Sequence, residues 1–370
     1  MSALIPGHAT EAGTAAYRER LGSRAAEGHF RRHEGLWLSS LGLGTYLGGE
    51  DQRTDDLYRA AILRALELGI NVIDTAINYR AQRSERVIGE ALRQAIAWGT
   101  VRREEVVVAT KGGFLPFDGT VPPDPRAYVE ETFVRPGVFR WEEFVAGCHC
   151  MTPRYLADQV ERSRRNLGLE TLDIYYVHNP ETQLGEVPRE EVYRRLRAAF
   201  ETLEAAVAEG RLRVYGTATW TGYRQPPEAS DYLPLAELAR LAREVGGERH
   251  RFRVVQLPYN LAMPEAYARA NQPLDGRQAS LLEAARELGI YVMASASILQ
   301  GRLARNLPPA LGGHLAGLET DAQRAIQFVR STPGLGTSLV GMKHPGHVEE
   351  NARVVAVPVA PPEAIRALFR

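Results

Sequence analysis

Short apolar runs alternate with longer amphipathic stretches along most of the chain. The runs Leu38–Gly44, Asn71–Asp74, Val106–Thr110, Asp173–Val177, Leu212–Gly216, Val254–Gln256, Ile290–Ala294 and Ser338–Gly341 predict eight strands. Between them, Asp55–Leu68, Arg83–Ile96, Pro153–Leu167, Glu190–Glu209, Leu235–Glu244, Ser280–Leu288 and Ala322–Ser331 predict helices. In the first of these, Leu57, Ala61, Ala65 and Leu68 recur at helical spacing, with Leu63 off the face. Gly69, Gly210 and Gly289 follow helices at the position where a left-handed cap is needed.

Strands separated by helices imply parallel pairing with crossovers, and eight of them fit a single α/β (β/α)8 TIM barrel. A doubly wound dinucleotide fold fails on context. Gly42-Leu43-Gly44 is followed by Leu47 at the third glycine position, and no helix opens there. Gly336 to Lys343 resembles a phosphate loop only loosely, since Met342 separates glycine from lysine and no Ser/Thr follows. The expected organisation is an N-terminal extension over residues 1–30 and a barrel over 31–370. A long loop over 112–151, after the third strand, should overhang the active-site face. It carries Phe114, Phe117, Tyr128, Phe133, Phe139, Trp141 and Phe144. These rings suit a substrate wall or lid, or equally a small core of the loop's own or a subunit contact.

Composition narrows the class. With 370 residues, 44% hydrophobic and 24% charged, the chain is neither disordered nor a disulfide-stapled mini-protein. Basic and acidic residues balance at 45 each, which argues against a nucleic-acid partner. No apolar run approaches the roughly 18 residues of a membrane span, and the N-terminus lacks a secretory pattern. With only two cysteines, the expectation is a cytoplasmic protein with no membrane partner. Lysine occurs only at Lys111 and Lys343, so 43 of the 45 basic residues are arginine. Arginine cannot replace a compact, titratable amine, so both lysines invite inspection.

Polar residues stand at the ends of consecutive predicted strands: Asp74, then Lys111, then His178, with Tyr79 five residues beyond Asp74. In a barrel these ends converge on one rim. A free phenol titrates near pH 10, too high for an efficient donor at neutral pH. A lysine ammonium within about 4–6 Å is expected to lower it. Asp74 would keep the lysine charged and aimed, and His178 would orient a carbonyl oxygen. Each residue alone has a bland structural reading; together they suit protonation of an alkoxide as hydride arrives.

The segment Ile73-Asp74-Thr75-Ala76-Ile77-Asn78-Tyr79, with Ser84-Glu85 and Ile88-Gly89, resembles the aldo-keto reductase signature. Lys111 after Val107-Val108-Ala109-Thr110 and His178 after Tyr176-Val177 resemble the family's other two catalytic positions, and the likeness runs from about Leu38 to Asn351. It implies a barrel using NADPH or NADH, with Tyr79 as general acid supported by Lys111, Asp74 and His178. It further implies cofactor contacts at Gly44, Thr45, Tyr46, Thr219, Gln256, Ser295, Ser297, Ile298 and Gly301. An adenosine-phosphate site is implied at Gly341, Lys343, His347, Glu350 and Asn351, with His344 alongside.

The chain departs from the family pattern after the fifth and seventh predicted strands, where it reads Gly216-Thr217-Ala218-Thr219 and Ser295-Ala296-Ser297-Ile298. Ala218 stands where a serine is usual, and Ser295 replaces the aromatic that stacks on the nicotinamide. Lys343 is placed to pair with a 2′-phosphate, so NADP(H) is expected over NAD(H). The expected partner is a small-molecule aldehyde, ketone or sugar alcohol, its identity and the oligomeric state being unreadable. Alternatives are a cofactor-retaining epimerase or eliminase, and a nicotinamide-binding sensor or regulatory subunit. Cys148-His149-Cys150 lacks a second ligand pair at metal spacing and reads as buried thiols, so no metal is expected.

Overall fold

The computed structural model describes residues 3–369. Two strands, β1 (Phe30–His33) and β2 (Leu36–Ser39), form an antiparallel hairpin ahead of the barrel. The barrel strands are β3 (Leu41–Gly44), β4 (Val72–Asp74), β5 (Val107–Gly112), β6 (Leu172–His178), β7 (Leu212–Ala218) and β8 (Phe252–Pro258). A second hairpin, β9 (Ala270–Leu274) and β10 (Arg277–Ser280), interrupts the series before β11 (Tyr291–Ser295) and β12 (Thr337–Gly341) complete it. The eight barrel strands are all parallel, and β12 pairs with β3 to close the ring. This is the (β/α)8 barrel read from the strand count.

Alternation along each strand decides which residues enter the barrel. Ile73, Val108, Tyr175, Val177, Tyr215, Val255 and Val292 belong to the large core between sheet and helices. Their neighbours Val72, Val107, Ala109, Ile174, Tyr176, Val254, Met293 and Leu339 form a separate cluster, the barrel interior. Counting on by two from that inner set reaches Asp74, Lys111, His178 and Gln256. The same phase that fills the interior with apolar side chains therefore delivers polar ones to the C-terminal rim.

The first predicted strand is corrected by the structure. Leu36 and Leu38 lie on β2 and join the interior cluster from below, plugging the barrel floor. The chain then turns at Ser39, whose amide donates to Asn71 Oδ1 (2.9 Å) and whose hydroxyl donates to the Leu41 carbonyl (2.7 Å). The N-terminal segment packs on the same end. Ile5 forms a parallel bridge with Leu169, and the Ala9 amide donates to buried Asp173 (2.7 Å). A helix over Glu11–Leu21 is anchored by the Tyr17 hydroxyl donating to the Leu66 carbonyl (2.6 Å).

Helix Gln52–Glu67 starts earlier than its hydrophobic pattern indicates, because Asp51 caps it by accepting from the Thr54 amide (2.8 Å). Its buried face is Tyr58, Ala61, Ile62, Ala65 and Leu66; Leu57 and Leu68 lie at its margin rather than at its centre.

Gly216 tests the β7–β8 contact. A Cβ there would stand 1.6 Å from the Val254 carbonyl oxygen, at a register shift between Tyr215 and Gly216. Backbone cannot retreat as a flexible side chain can. Gly216→Ala is expected to destabilise the protein by about 3 kcal/mol or to prevent folding. Denaturant unfolding checks this, and a loss under about 1 kcal/mol would show the contact to be pliable.

Candidate active site

Asp74, Lys111 and His178 stand at the C-terminal ends of β4, β5 and β6. Lys111 Nζ donates to Asp74 Oδ2 (2.7 Å) and to the Thr75 carbonyl (2.7 Å), and both ionic side chains are almost wholly buried. Burial pulls the lysine below its ordinary range, and Asp74 opposes this. Gln256 Nε2 donates to Asp74 Oδ1 (2.7 Å), so both carboxylate oxygens are satisfied. Thr45 Oγ1 donates to the Asp74 carbonyl (3.1 Å), and Ser84 Oγ donates to the Thr45 carbonyl (2.8 Å). These contacts bring the signature segment onto the loop after β3.

Tyr79 lies on the loop that follows β4. The loop is held down by the Thr75 amide on the Ala109 carbonyl (2.9 Å) and the Ile77 amide on the Lys111 carbonyl (3.1 Å). Beyond Tyr79, Arg80, Ala81 and Gln82 are all left-handed, at φ 50°, 50° and 69°. Three such residues in a row, none a glycine, carry backbone strain that surrounding contacts must offset. Arg80 supplies some of them: it is buried on Asp55 (2.5 Å) and donates to the Gly49 carbonyl (2.8 Å). Gln82 Nε2 donates to the Phe117 carbonyl (2.9 Å).

The Tyr79 ring is partly open to the mouth. Lys111 Nζ sits 5.0 Å from its centroid, Tyr46 packs edge-on at 4.9 Å, and His178 packs edge-on at 5.9 Å. A lysine charge nearby, acting alone, would lower the phenol pKa. In the structure it is raised well above its ordinary value, first by desolvation, then by the negative Asp74 and by Tyr46. The physical reason is burial: desolvation penalises the phenolate most, and the Asp74 carboxylate adds to it. The phenol is held protonated. His178 is held neutral, first by burial and then by the Lys111 charge, and its Nδ1 is buried without a partner.

The other sequence-selected residues ring this centre unevenly. Gly44 ends β3, Tyr46 is 55% exposed on the rim, and Ser295 ends β11. Thr219, directly after β7, is buried with its hydroxyl unpartnered. Ser297 is buried with its hydroxyl donating to the Ala294 carbonyl (3.1 Å), while Ile298 and Gly301 lie in a turn where Leu299, Gln300 and Gly301 are left-handed. Gly341 ends β12. Lys343 follows and lies beside the loop after β3, since a Cβ on Gly48 would be 3.7 Å from Lys343 Cδ. His347, Glu350 and Asn351 belong to the helix Pro345–Ala352; Asn351 Oδ1 is buried and unpartnered, and His347 packs on His344 at 5.3 Å.

The loop over 112–151 divides its rings between two tasks. Phe133 and Phe139 form a small core with Val129, Cys150 and Tyr155, against which Tyr128, Trp141 and Phe144 pack. Phe114 instead packs edge-on against His178 at 4.9 Å. Cys148 and Cys150 are free thiols, Cys150 being buried. Among the described residues, no group of three or more His, Cys, Asp or Glu could hold a metal ion.

His149 and Glu181 are contacts that motif reading missed. Buried Glu181 Oε1 accepts the amides of Trp220 (2.6 Å) and Thr221 (3.1 Å), fixing the loop after β7. It sits three residues past His178 in a proline turn, with nothing periodic to mark it. His149 is wholly buried, and burial takes its imidazole down to about 4 from an ordinary 6.5. As the pH falls below 6.5 the unfolded chain takes up a proton that the folded chain refuses, so stability is lost on acidification. The expected loss is about 2 kcal/mol by about pH 5. Melting curves should therefore fall more steeply with acid in the wild type than in His149→Gln; equal slopes would contradict this.

Residues 40–310 match the family described as the Aldo/keto reductase family. The chain belongs to this family. Across 189 residues it is 29% identical to the NADH-specific methylglyoxal reductase of Escherichia coli strain K12, covering 50% of this chain and 49% of that protein. The chain thus spans about half the length of that relative. A probable voltage-gated potassium channel subunit beta of Oryza sativa subsp. japonica is 24% identical across 90% of this chain and 92% of its own. The fold of an aldo/keto reductase from Klebsiella pneumoniae, solved in complex with NADP and acetate, superposes with a TM-score of 0.61. It covers 93% of this chain and 95% of its own at 22% identity.

Proposed function

We propose that this aldo/keto reductase is an NADP(H)-dependent oxidoreductase that reversibly reduces an aldehyde, ketone or sugar carbonyl to an alcohol. The observation that carries it is the buried Lys111–Asp74 pair beneath a partly open Tyr79, with neutral His178 at the same mouth. NADPH, when bound, supplies the hydride. Tyr79 holds a proton at its hydroxyl and delivers it to the substrate oxygen as negative charge develops there. Lys111 places a compact positive charge against the ring and stabilises the phenolate left behind. Asp74 keeps Lys111 charged and directed. His178, neutral, orients the carbonyl oxygen by hydrogen bonding.

The residues present fit the nicotinamide dinucleotide in part. The orphaned Thr219 hydroxyl is available to the carboxamide, the orphaned Asn351 Oδ1 to a donor on the adenosine, and Lys343 to the adenosine phosphate. Gln256 is assigned to holding Asp74. Lys343, one residue before the cap of the helix Pro345–Ala352, pairs with the 2′-phosphate, so Lys343→Ala should weaken NADPH at least 10-fold while changing NADH little. Fluorescence titration with each nucleotide checks this; equal losses would remove Lys343 from the phosphate site. The substrate class is tested by NADPH consumption over many turnovers against a panel of aldehydes, ketones and sugars.

A second reading, a nicotinamide-binding regulatory subunit with little turnover, has a specific observation in its favour. Ser295 provides no ring to stack on the nicotinamide, and the channel-subunit relative aligns along 90% of the chain. Tight NADPH binding without net consumption would favour it.

A further inference from the structure

Cys148-His149-Cys150 is the motif that the proposed chemistry leaves unused, and its middle residue reaches the catalytic rim. His149 Nε2 stands 2.7 Å from the His178 carbonyl oxygen. A carbonyl can only accept, so Nε2 carries the hydrogen and Nδ1 must be an acceptor. Gln183 Nε2 meets it at 2.9 Å, and Gln183 Oε1 in turn accepts from Arg195 (2.5 Å). The chain of donors runs one way, from Arg195 through Gln183 and His149 to His178. A guanidinium can only donate, so Arg195 sets the orientation of the Gln183 amide and thereby the His149 tautomer.

The loop ends are fastened to each other at the same place. The Cys150 amide donates to the Gly113 carbonyl (2.9 Å), and the Leu115 amide donates to the Cys148 carbonyl (2.8 Å). Phe114 lies edge-on to both His149 (5.2 Å) and His178 (4.9 Å). There is no slack: a Cβ on Gly113 would come within 2.8 Å of His149 Nε2 and 3.0 Å of the His178 oxygen. Immediately beyond, Asn179 is left-handed at φ 44°, and its amide, in the same peptide unit as the His178 carbonyl, donates to the Ala218 carbonyl (2.6 Å), so β7 holds one side of this peptide and His149 the other.

We propose that His149 is a positioning residue, which fixes the end of β6 and with it the ring of His178, so that the loop over 112–151 sets the geometry of the proton-transfer site. The catalytic part of this inference rests on the function proposed above. His149 touches no reacting atom; it acts through His178, and Gln183 acts through His149. A loop that shifts therefore shifts His178.

The test is a double-mutant cycle, with 4-nitrobenzaldehyde and NADPH as the assay pair, together with 15N histidine-ring NMR of the full chain. His149→Leu should lower kcat about 10-fold or more, with the NADPH dissociation constant within about twofold of wild type. In a His178→Ala background the same change should cost nothing further, because the residue it positions is gone. Losses that multiply instead would overturn the proposal, marking a general structural effect. Gln183→Leu, which leaves His149 in place, should give a smaller loss of the same kind if His149→Leu folds poorly; unchanged kcat there would overturn the relay.

The NMR arm is independent of turnover. The His178 ring resonance, assigned by its absence in His178→Ala, should move in His149→Leu and in Gln183→Leu. A resonance that stays put in both overturns the proposal. If the resonance moves but no variant, nor the wild type, consumes NADPH, then the positioning stands and the reductase reading fails.

Discussion

Tyr79→Phe is expected to lower kcat by about 10²- to 10⁴-fold, the range that a positioned proton donor contributes. The substitution removes one oxygen from a partly open ring and leaves the contacts with Tyr46 and His178 in place. Stability and NADPH affinity should therefore stay close to wild type. The structure sharpens the reason. Tyr79 is a protonated phenol held well above its ordinary pKa by desolvation and by Asp74, so it arrives at the reaction with its proton. In the proposed reaction Lys111, whose ammonium lies 5.0 Å from the ring centroid, lowers the cost of parting with it. Steady-state kinetics on the purified variant decide it: a loss below about threefold would assign the proton to another group.

Asp74→Ala should have the largest effect on the fold of any change at the site. It would leave Lys111, 1% exposed, with the Thr75 carbonyl as its remaining acceptor, and Gln256 without its partner. Breaking one side of a buried pair typically costs about 3–5 kcal/mol, because the other charge remains desolvated and uncompensated. Removing both charges should cost far less. The double variant Asp74→Leu/Lys111→Met is thus expected to recover much of the stability while remaining inactive, which separates the cost of burying charge from its use. Denaturant unfolding of the three proteins measures this. Asp74→Ala within about 1 kcal/mol of wild type would mean that water or a rearranged side chain compensates Lys111.

The barrel and its rim were legible because both follow from one signal. Alternation along β5 places Val107, Ala109 and Lys111 on one side, and along β6 Ile174, Tyr176 and His178, so reading the strands also read the site. Helix Pro153–Leu167 was likewise marked at both ends, by a proline at its start and Gly168 in a left-handed cap. Where the pattern was weak, structure went unseen. The helix Glu11–Leu21 buries Gly13, Thr14, Tyr17 and Leu21, which is no apolar stripe. Hairpin β9–β10 turns at Asp275-Gly276, both left-handed, a readable turn signal. Its flanks, however, run Ala270-Asn271-Gln272-Pro273 and lack alternation.

At the site, residue identity was legible and electrostatics was not. A sequence can place Lys111 near Tyr79, but the sign of the phenol shift depends first on how fully the hydroxyl is desolvated and then on its distance from Asp74, both of which only the fold sets. Gln256 shows the same limit: its place in β8 was readable, and its hydrogen bond to Asp74 was not. His149 is the clearest case. Its neighbours in sequence are thiols, whereas its partners Gln183 and His178 lie about thirty residues away and meet it only once the loop has folded back.

In the proposed reaction hydride crosses from NADPH to a carbonyl carbon at this rim. The most direct test incubates the protein with NADPH deuterated at the nicotinamide C4, each stereoisomer in turn, and an excess of 4-nitrobenzaldehyde or methylglyoxal. The alcohol formed is then weighed by mass spectrometry. One deuterium is expected in the alcohol from one of the two stereoisomers, in amounts well beyond one equivalent of protein, and none with Tyr79→Phe over the same interval. Unlabelled aldehyde recovered across the carbonyl panel, from protein that binds NADPH tightly, would contradict it.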